Sequence, residues 1–371
     1  MSGIIGDNTG DHSGQIATVQ GITTSSSDPA IDTDPSGGIG TVWANTTSGE
    51  MYACTDATAG ANVWTNVGDG TGDIQINYGG EQYGYCAGGI VAATADNEIA
   101  KYSYTSDGDA TDVGDIVQAR YAGAGVSSLT YGYHMGGAWP PFSPTNFTVE
   151  LEKTQFASDG DAASVTGDLT GYRRLSASAT NKVYGYCIAD QEAPRITTYE
   201  KFLFSTEANA VEVGTLTGAR SSVGCSSSTH GYTAGGNIGA PASYAATNTI
   251  QKWTFASDGS SADVDDLTVA GNDATGASSL THGYVSGGTS RTTTIDKFSM
   301  VSDASATDVG DCPARTYGAG SSSTTFGYNA SGDDGGVVTN MFKYSFSSDG
   351  DSSSVGNLTY ATSYPWGELQ Y

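Results

Sequence analysis

The sequence predicts an all-β chain, because short strands of alternating polarity and glycine-rich turns recur through most of its length. Its 371 residues include 52 glycines and 22 tyrosines. The aromatic residues return at regular intervals, which a disordered segment would not show. One unit of roughly 48 residues occurs six times, beginning near residues 84, 132, 185, 231, 283 and 327. We therefore predict a six-bladed β-propeller over residues 71–371, preceded by an extended N-terminal arm at 1–39 and a small β module at 40–70.

The first landmark of each copy is an aromatic residue or histidine followed by Gly-Tyr and, in most copies, by a glycine doublet. The copies begin this motif at Tyr83, Tyr131, Tyr184, His230, His282 and Phe326. The first copy continues to Gly88-Gly89, whereas the third has Ile188-Ala189-Asp190 in place of the doublet. We interpret His230 and His282 as packing residues, because other copies place Tyr or Phe at the same position.

The second landmark is a lysine that opens an alternating strand. Six of the seven lysines occupy this position: Lys101, Lys153, Lys201, Lys252, Lys297 and Lys343. Apolar residues follow with period two, as at Tyr102 and Tyr104, which indicates a half-buried strand. We interpret the lysine as a snorkelling or salt-bridging residue, with a functional ring of lysines as the alternative.

The third landmark is a tight turn followed by a return strand. Ser106-Asp107-Gly108 marks the turn in the first copy, and Asp-Gly between alternating strands predicts a hairpin. The lysine and the apolar residue that closes the return strand lie 15 or 16 residues apart in every copy. The segment between the doublet position and the lysine varies instead from 9 to 16 residues. We therefore expect the fixed segments to be scaffold and a binding site to lie in the variable loops.

Each copy thus comprises four short strands, the number in a propeller blade. The last copy ends near the position where a seventh Gly-Tyr would fall. This arrangement favours a closed ring over a linear solenoid, whose terminal copies would need capping.

The N-terminal segment does not match the repeat. Residues 1–39 are polar and contain no Tyr, Phe or Trp, so they cannot form a core alone and are expected to order on a partner. Residues 40–68 carry Trp43, Tyr52 and Trp64 between glycine-containing turns, which predicts two or three short strands around a small aromatic core. The candidate residues for attachment to a particle are Ile4, Ile5, Ile16, Val19, Trp43 and Trp64.

Charge and cysteine usage exclude several classes of protein. Forty acidic residues against 14 basic ones give a formal charge of -26, which argues against nucleic-acid binding but leaves neutral glycans, cations and basic proteins as partners. The five cysteines lie far apart without a CxxC pair, so we interpret them as buried hydrophobic residues of a protein made in a reducing cytosol. Neither a signal peptide nor an apolar run long enough for membrane insertion is recognised.

The sequence carries no recognisable catalytic or metal-binding motif. The four histidines do not cluster with carboxylates or cysteines at ligand spacing, so neither a metal nor another cofactor is predicted. Asp107-Gly108-Asp109 is superficially similar to a calcium loop, but a hairpin turn explains it without an ion. We predict that the protein is not an enzyme, although 40 acidic residues leave a carboxylate pair for glycoside hydrolysis open.

The variable loops carry the candidate receptor-binding residues. Trp139-Pro140-Pro141-Phe142 lies in one of the two longest loops, where Trp139 and Phe142, stiffened by prolines, would form a contact patch of low conformational entropy. The alternative is that this loop folds back onto the propeller. Arg195 and Tyr244, in two other loops, complete the candidates.

Two resemblances add to this interpretation. The glycine doublet after an apolar or aromatic strand, at this period, resembles kelch repeats, although most copies lack the usual kelch tryptophan. Residues 40–68 resemble a small module of tail-fibre and other virion proteins of tailed bacteriophages. The repeat phrasing, such as Thr-His-Gly-Tyr-Val-Ser-Gly-Gly at 281–288, is similar to that of marine phage proteins. Together these resemblances cover nearly the whole chain, and they imply a particle-attached N-terminus and a distal C-terminal head.

We accordingly predict a non-enzymatic structural protein of a bacteriophage virion, assembled in the host cytoplasm. It would be a tail fibre or receptor-binding protein whose kelch-like propeller serves host adhesion. Residues 1–70 would bind other virion proteins, the propeller loops would bind a host-surface glycan or protein, and the protein would be oligomeric on the particle. Two alternatives stay open: a capsid (head) decoration or fibre protein without a receptor role, and a glycan-active enzyme on a propeller fold.

Overall fold

The computed structural model describes residues 22–30, 32–67, 82–141, 146–181, 183–188, 197–217, 221–239, 244–289 and 292–367. These residues form β-strands joined by turns, and none of them lies in an α-helix. The prediction of an all-β chain is therefore confirmed. The chain divides into two compact units, Met1–Ile76 and Asn77–Tyr371.

The first unit contains a four-stranded sheet. Its strands, in their hydrogen-bonded order, are β1 (Thr23–Ser25), β2 (Val42–Asn45), β3 (Met51–Asp56) and β4 (Val63–Asn66). The rings of Trp43 and Trp64 meet edge to face with their centroids 5.8 Å apart. Tyr52 is buried on β3, where it pairs with Trp43 of β2.

Strand β1 corrects the expectation that residues 1–39 are only an arm. It pairs in parallel with β2, so the sheet includes residues that precede position 40. The Trp43 indole donates a hydrogen bond to the Ser27 carbonyl (3.0 Å), and Thr46 donates through its backbone N–H to the Ser25 carbonyl (2.7 Å). Backbone and polar side-chain bonds hold this strand, and they leave no apolar pattern in the sequence.

The described residues of the second unit form six antiparallel sheets of four strands each. We number them I to VI and give their strands in hydrogen-bonded order. Sheet I has β32 (Trp366–Gly367), β5 (Tyr83–Ala87), β8 (Glu98–Ser103) and β9 (Thr111–Asp115); sheet II has β10 (Ala124–Ser127), β11 (Tyr131–Met135), β12 (Glu150–Gln155) and β13 (Ala163–Asp168); sheet III has β14 (Ala177–Thr180), β15 (Tyr184–Ile188), β16 (Thr198–Leu203) and β17 (Val211–Thr215). Sheet IV has β18 (Val223–Ser226), β19 (His230–Ala234), β22 (Thr249–Thr254) and β23 (Ala262–Asp266); sheet V has β24 (Thr275–Ser278), β25 (His282–Ser286), β26 (Thr294–Ser299) and β27 (Thr307–Asp311); sheet VI has β28 (Ala319–Ser322), β29 (Phe326–Ala330), β30 (Val338–Ser345) and β31 (Ser353–Thr362).

Two short hairpins lie in the loops between second and third strands. They are β6 (Ile90–Val91) with β7 (Thr94–Ala95) in sheet I, and β20 (Asn237–Ile238) with β21 (Ala245–Ala246) in sheet IV. Strand order follows chain order in sheets II to VI. Sheet I differs, because its first strand β32 comes from the C-terminal end of the second unit and pairs Trp366 with Ala87 and Gly367 with Cys86.

Within a sheet, the glycine of Gly-Tyr makes room for an aromatic ring on the neighbouring strand. A Cβ at Gly231 would lie 2.1 Å from the Trp253 ring, and one at Gly283 would lie 2.2 Å from the Phe298 ring. The same relationship holds in five sheets, for the pairs Gly84–Tyr102, Gly185–Phe202, Gly231–Trp253, Gly283–Phe298 and Gly327–Tyr344. The glycine and the first aromatic residue after the lysine are therefore one packing unit.

Between sheets, the tyrosine of Gly-Tyr packs against the next sheet. These tyrosines are at most 1% exposed, and five ring pairs have centroids 4.6–5.0 Å apart: Tyr85–Phe156, Tyr133–Phe204, Tyr186–Phe255, Tyr284–Phe346 and Tyr328–Tyr104. In sheet IV the Tyr232 hydroxyl donates to the Met300 carbonyl instead (3.0 Å). The hydrophobic cores accordingly lie between sheets, and one of them joins Tyr102 and Tyr104 of sheet I to Tyr328, Met341 and Leu358 of sheet VI.

The repeated lysine also reaches the next sheet. Its ammonium group lies 2.5–2.9 Å from an acidic residue in the turn between the third and fourth strands of that sheet: Lys101–Asp159, Lys153–Glu207, Lys201–Asp258, Lys252–Asp303, Lys297–Asp349 and Lys343–Asp107. The aromatic residue before Gly-Tyr offers its ring to the same ammonium, as Tyr83 does at 4.2 Å from Lys101. The salt-bridging interpretation of these lysines is therefore confirmed.

The first strands contact one another in a fixed order. β10 contacts β14, β14 contacts β18, β18 contacts β24, β24 contacts β28, β28 contacts β32, and β32 contacts β10. These strands consist largely of Gly, Ala and Ser, which allows their backbones to approach closely; a Cβ at Gly224 would lie 1.9 Å from the Ser178 carbonyl oxygen. All five cysteines are free and buried, as the sequence predicted.

Candidate functional site

Two kinds of connection emerge at the same end of each sheet. Because the strands run antiparallel, the loop from second to third strand and the connection from fourth strand to the next sheet share one end, which we call the loop end. The second glycine of the doublet ties the two together there: Gly89 donates to the Arg120 carbonyl (2.9 Å), Gly137 to the Arg173 carbonyl (2.8 Å) and Gly288 to the Arg315 carbonyl (2.8 Å). The doublet therefore belongs to the scaffold, and the variable loop departs after it.

Buried ion pairs fix the connections at the loop end. Arg120 lies 2.5 Å from Glu152 and Arg173 lies 2.6 Å from Glu200, with all four side chains at most 1% exposed. The second carboxylate oxygen of Glu200 accepts the backbone N–H of Thr170 (2.6 Å), which heads the connection.

The residue that precedes the repeated lysine faces this connection, and its type differs according to whether the connection offers a backbone N–H group. In sheets IV and V, Gln251 and Asp296 accept the N–H groups of Thr217 and Thr268. Pro313 heads the connection before sheet VI and has no N–H, and the facing residue there is Phe342. We conclude that these buried polar residues are structural.

Six residues at the inner edge of the loop end share one backbone conformation. Each stands two positions before the residue that begins a first strand, and each has φ between +51° and +58°: Ala122, Leu175, Ser221, Asp273, Tyr317 and Tyr364. We call them the rim residues. Their backbones are joined by hydrogen bonds of 2.8–3.0 Å in which Ala122 donates to Tyr364, Leu175 to Ala122, Asp273 to Ser221, Tyr317 to Asp273 and Tyr364 to Tyr317.

The rim residues differ in their side chains. Those before sheets II, III and IV are small or aliphatic, whereas Asp273, Tyr317 and Tyr364 lie consecutively before sheets V, VI and I. The Tyr317 and Tyr364 rings stack with centroids 4.0 Å apart and an interplanar angle of 24°. The Tyr121 ring also contacts Tyr364, edge to face, with the ring centroids 6.0 Å apart.

The electrostatics of this group follow from burial and neighbouring charges. Burial raises the pKa of the Tyr317 phenol, the bond with Tyr364 lowers it, and the charge of Asp273 raises it further. Burial also raises the pKa of Tyr364, and so do Tyr317 and the charge of Asp273, whereas the charge of Arg174 acts in the opposite direction. Both phenols therefore stay protonated at neutral pH and can donate hydrogen bonds.

The rim residues line a cavity of about 100 Å³ together with the small residues that follow them. A second cavity of about 110 Å³ shares some of these residues and is lined by the first strands of all six sheets. The walls of the second cavity carry glycine, alanine and serine with Trp366 and few other large side chains. The side chains with the most varied chemistry therefore stand at the rim.

The loop with Trp139 is bonded at its base to Tyr121, the residue before the rim residue Ala122. Ala138 forms bridges with Tyr121 and with Phe147, and the Trp139 N–H donates to the Asn146 carbonyl (3.1 Å). Trp139 is half-buried. Its partner in the predicted contact patch, Phe142, lies outside the described residues.

The other predicted site residues fall in separate places. Tyr244 is half-buried just before β21 in the loop of sheet IV, and Trp43 and Trp64 belong to the first unit. Arg195 and the four attachment candidates Ile4, Ile5, Ile16 and Val19 lie outside the described residues. The structure therefore brings no two of the receptor-binding candidates together among the residues it describes.

Sequence reasoning missed the rim. A usable signal exists, because each rim residue follows the lysine of the preceding copy by 20–22 residues and stands before a uniform Gly/Ala/Ser strand. At this one position the copies carry Ala, Leu, Ser, Asp, Tyr and Tyr. The backbone conformation is the same at this position in every copy, whereas the side chain differs. This pattern suggests that the side chains serve a purpose other than folding.

Histidines and acidic groups offer little further chemistry in the described part of the chain. No group of three or more His, Cys, Asp or Glu residues there could hold a metal ion. His134 is fully buried between Trp366, whose indole donates to Nδ1 (3.1 Å), and Thr154 (3.0 Å to Nε2). Burial, and secondarily the charge of Arg120, lowers the pKa of His134 to about 3, so it is a neutral packing residue. Within the same described ranges, no helix is long and apolar enough to span a membrane.

No protein-family model matches the sequence, and no curated protein matches it. The rim and the adjoining loop therefore define the candidate site by their geometry alone: a cavity edged by a stacked tyrosine pair, a carboxylate and hydroxyl groups on a rigid set of sheets.

Proposed function

We propose that Asn77–Tyr371 is a closed six-bladed β-propeller of kelch-like repeats. Three independent kinds of contact lead from sheet VI back to sheet I: the Lys343–Asp107 salt bridge, the Tyr328–Tyr104 ring contact and the hydrogen bond from the Gly108 N–H to the Val355 carbonyl (2.7 Å). The salt bridge repeats between all the other neighbouring sheets, the ring contact between four of those five pairs, and the glycine hydrogen bond between three of them. A linear array would leave its first and last sheets without these partners.

We further propose that the protein is a non-enzymatic virion protein of a tailed bacteriophage, a tail fibre or receptor-binding protein. The phage setting rests on the resemblance of the N-terminal module and the repeats. The binding role rests on the rim, where six residues share a left-handed backbone that costs a non-glycine residue about 1 kcal/mol. Glycine would relieve this cost at every rim position, yet none is glycine. Backbone strain retained for the sake of side chains is typical of a functional surface.

The first unit is proposed to attach the protein to the particle. Beside Trp43 and Trp64, it exposes several apolar side chains to solvent: Ile22 (53%), Ile39 (69%), Val63 (49%) and Val67 (56%). Exposed apolar residues on a small sheet suit contact with another virion protein. The second unit is then left to present its loop end to the host surface.

Labelling of particles together with adsorption assays tests this function. Antibodies raised against the purified full chain are expected to decorate the tail of the virus that encodes it, and the purified chain is expected to compete with the virus for adsorption to host cells. Decoration of the capsid without competition would instead support a decoration protein. Release of sugars from host polysaccharide by the purified chain would support a glycan-active enzyme.

A further inference from the structure

We infer that the Asp273–Tyr317–Tyr364 half of the rim is a binding subsite for a single neutral pyranose ring, either the end of a glycan chain or a free sugar. This inference rests on the proposed binding function and specifies its ligand and its location. It moves the expected contact from the variable loops, where the sequence placed it, to the inner edge of the loop end.

The distribution of side chains around the rim supports one subsite. The three polar and aromatic residues are consecutive, and the three small or aliphatic ones are consecutive on the opposite side. Six repeated surfaces would be expected if the rim were only scaffold, since its backbone is the same in every copy. The asymmetry therefore marks one half as specialised.

The chemistry of that half matches a sugar ring. A pyranose has an apolar face of C–H groups and a periphery of hydroxyls, so it binds to a flat aromatic ring bordered by a few hydrogen-bonding groups. Tyr317 is half-buried, stacks on Tyr364 and lines the cavity together with it, so the pair provides aromatic surface at the cavity edge. The Asp273 carboxylate already accepts a hydrogen bond from the Tyr317 hydroxyl, and its other lone pairs can accept sugar hydroxyls; Ser222 adds a hydroxyl to the same cavity wall.

The charge around this half of the rim disfavours an anionic ligand. The charge of the Asp273 carboxylate raises the pKa of Tyr364, and the charge of the Arg174 guanidinium lowers it. Arg174 also lies over the Phe147 ring, 5.8 Å from its centroid, at the base of the loop that carries Trp139. Asp333 adds a second negative charge near Tyr317, and the chain as a whole carries a net charge of -26, so the subsite suits a neutral rather than an anionic ring.

Ligand-observed NMR on the full chain tests the inference. The probes are the methyl glycosides of glucose, galactose, mannose and N-acetylglucosamine, with choline as the cationic comparison. We expect saturation transfer to at least one glycoside, and a loss of at least about tenfold in its affinity in Asp273→Asn and in Tyr317→Ala. Asn tolerates the left-handed backbone, so Asp273→Asn tests the carboxylate without disturbing the fold.

Asp263→Asn is the matched control, because it makes the same chemical change at an exposed position of β23 that lies outside the rim and its cavity. It is expected to keep the affinity within twofold. Binding of a glycoside that survives both Asp273→Asn and Tyr317→Ala would overturn the inference, and so would binding of choline in preference to every glycoside. Absence of any glycoside signal in a chain that still blocks virus adsorption would overturn the subsite and leave the proposed function standing.

Discussion

Lys343 of the last sheet donates to Asp107 of the first sheet at 2.5 Å, the same contact that Lys101 makes with Asp159 one sheet further on. Because 51% of the Asp107 side chain is exposed, this ion pair alone contributes no more than about 1 kcal/mol. The greater stabilisation at this junction comes from the buried cluster around Tyr104, Tyr328 and Leu358. The salt bridge fixes the register of the two sheets, and the apolar cluster holds them together.

Trp366 should be among the residues most important for stability. It is 4% exposed, it stands on the strand that completes sheet I, and its indole donates to His134. Replacement by alanine removes a large buried ring, so Trp366→Ala should lower the free energy of unfolding by about 3–5 kcal/mol in urea denaturation. Trp139→Ala, in a half-buried loop position, should cost less than half as much. Equal effects of the two substitutions would argue against the role of β32.

The glycine of Gly-Tyr should not tolerate a methyl group. In Gly283→Ala the new Cβ would lie 2.2 Å from the Phe298 ring, which is itself 2% exposed and cannot move aside. We expect a loss of about 1–3 kcal/mol and a lower thermal midpoint by calorimetry. Gly336→Ala is the control, because nothing lies within 4 Å of its Cβ position. That variant should match or slightly exceed the wild-type midpoint, and a deficit comparable to that of Gly283→Ala would contradict the packing described.

The buried Arg173–Glu200 pair should show strong coupling. Arg173→Met leaves Glu200 charged and buried, which typically costs about 3–5 kcal/mol of folding free energy. The double variant Arg173→Met, Glu200→Gln removes both charges and should recover at least half of this loss. A double-mutant cycle measured by denaturation provides the coupling energy. Strictly additive effects would show that the two side chains do not act as a pair.

Stability should fall in mildly acidic solution because of His134. Its pKa is lowered to about 3 in the folded protein, whereas the unfolded chain binds a proton below its ordinary value near 6.5. Between these two values the unfolded state carries more protons, so stability decreases as the pH falls, by about 1.4 kcal/mol per pH unit from this group. His134→Gln should flatten the pH dependence of the unfolding free energy. Between pH 6 and pH 4, the unfolding free energy of the wild type should therefore fall by more than that of the variant. Parallel curves for the two proteins would be inconsistent with a buried neutral imidazole.

The parts of the fold that follow a short-range pattern could be predicted from the sequence. The alternation after each lysine, the Asp-Gly turn and the glycine doublet all reflect local geometry, and the structure contains strands, turns and tied loops at those positions. The repeated lysine could be predicted to be a snorkelling or salt-bridging residue, but the acidic residue that it pairs with could not be named. That partner lies in a turn of the neighbouring sheet, 51–58 residues away for five of the lysines and 236 residues away for Lys343, and such pairings leave no local trace.

Neither the last strand nor the backbone conformation of the rim follows from a short-range pattern in the sequence. The strand Trp366–Gly367 is too short to show a period, and its role depends on a distant partner in β5. The rim depends on a positive φ in residues such as Leu175 and Tyr317, which have no intrinsic preference for that conformation. Hydrogen bonds between successive copies impose it, so the conformation is a property of the assembled sheets.

Distances between spin labels on the turns measure whether the six sheets close on themselves. Ser106, Ser158, Ser257 and Ser348 occupy exposed turns of sheets I, II, IV and VI. Each double-cysteine variant of the full chain can be labelled selectively, because the five native cysteines are buried. In a closed ring, pulsed electron–electron double resonance should give about the same distance between labels at positions 106 and 348 as between labels at 106 and 158. Both distances should be shorter than the distance between labels at 106 and 257. An array that does not close would reverse this order, with 106–348 the longest distance of the three.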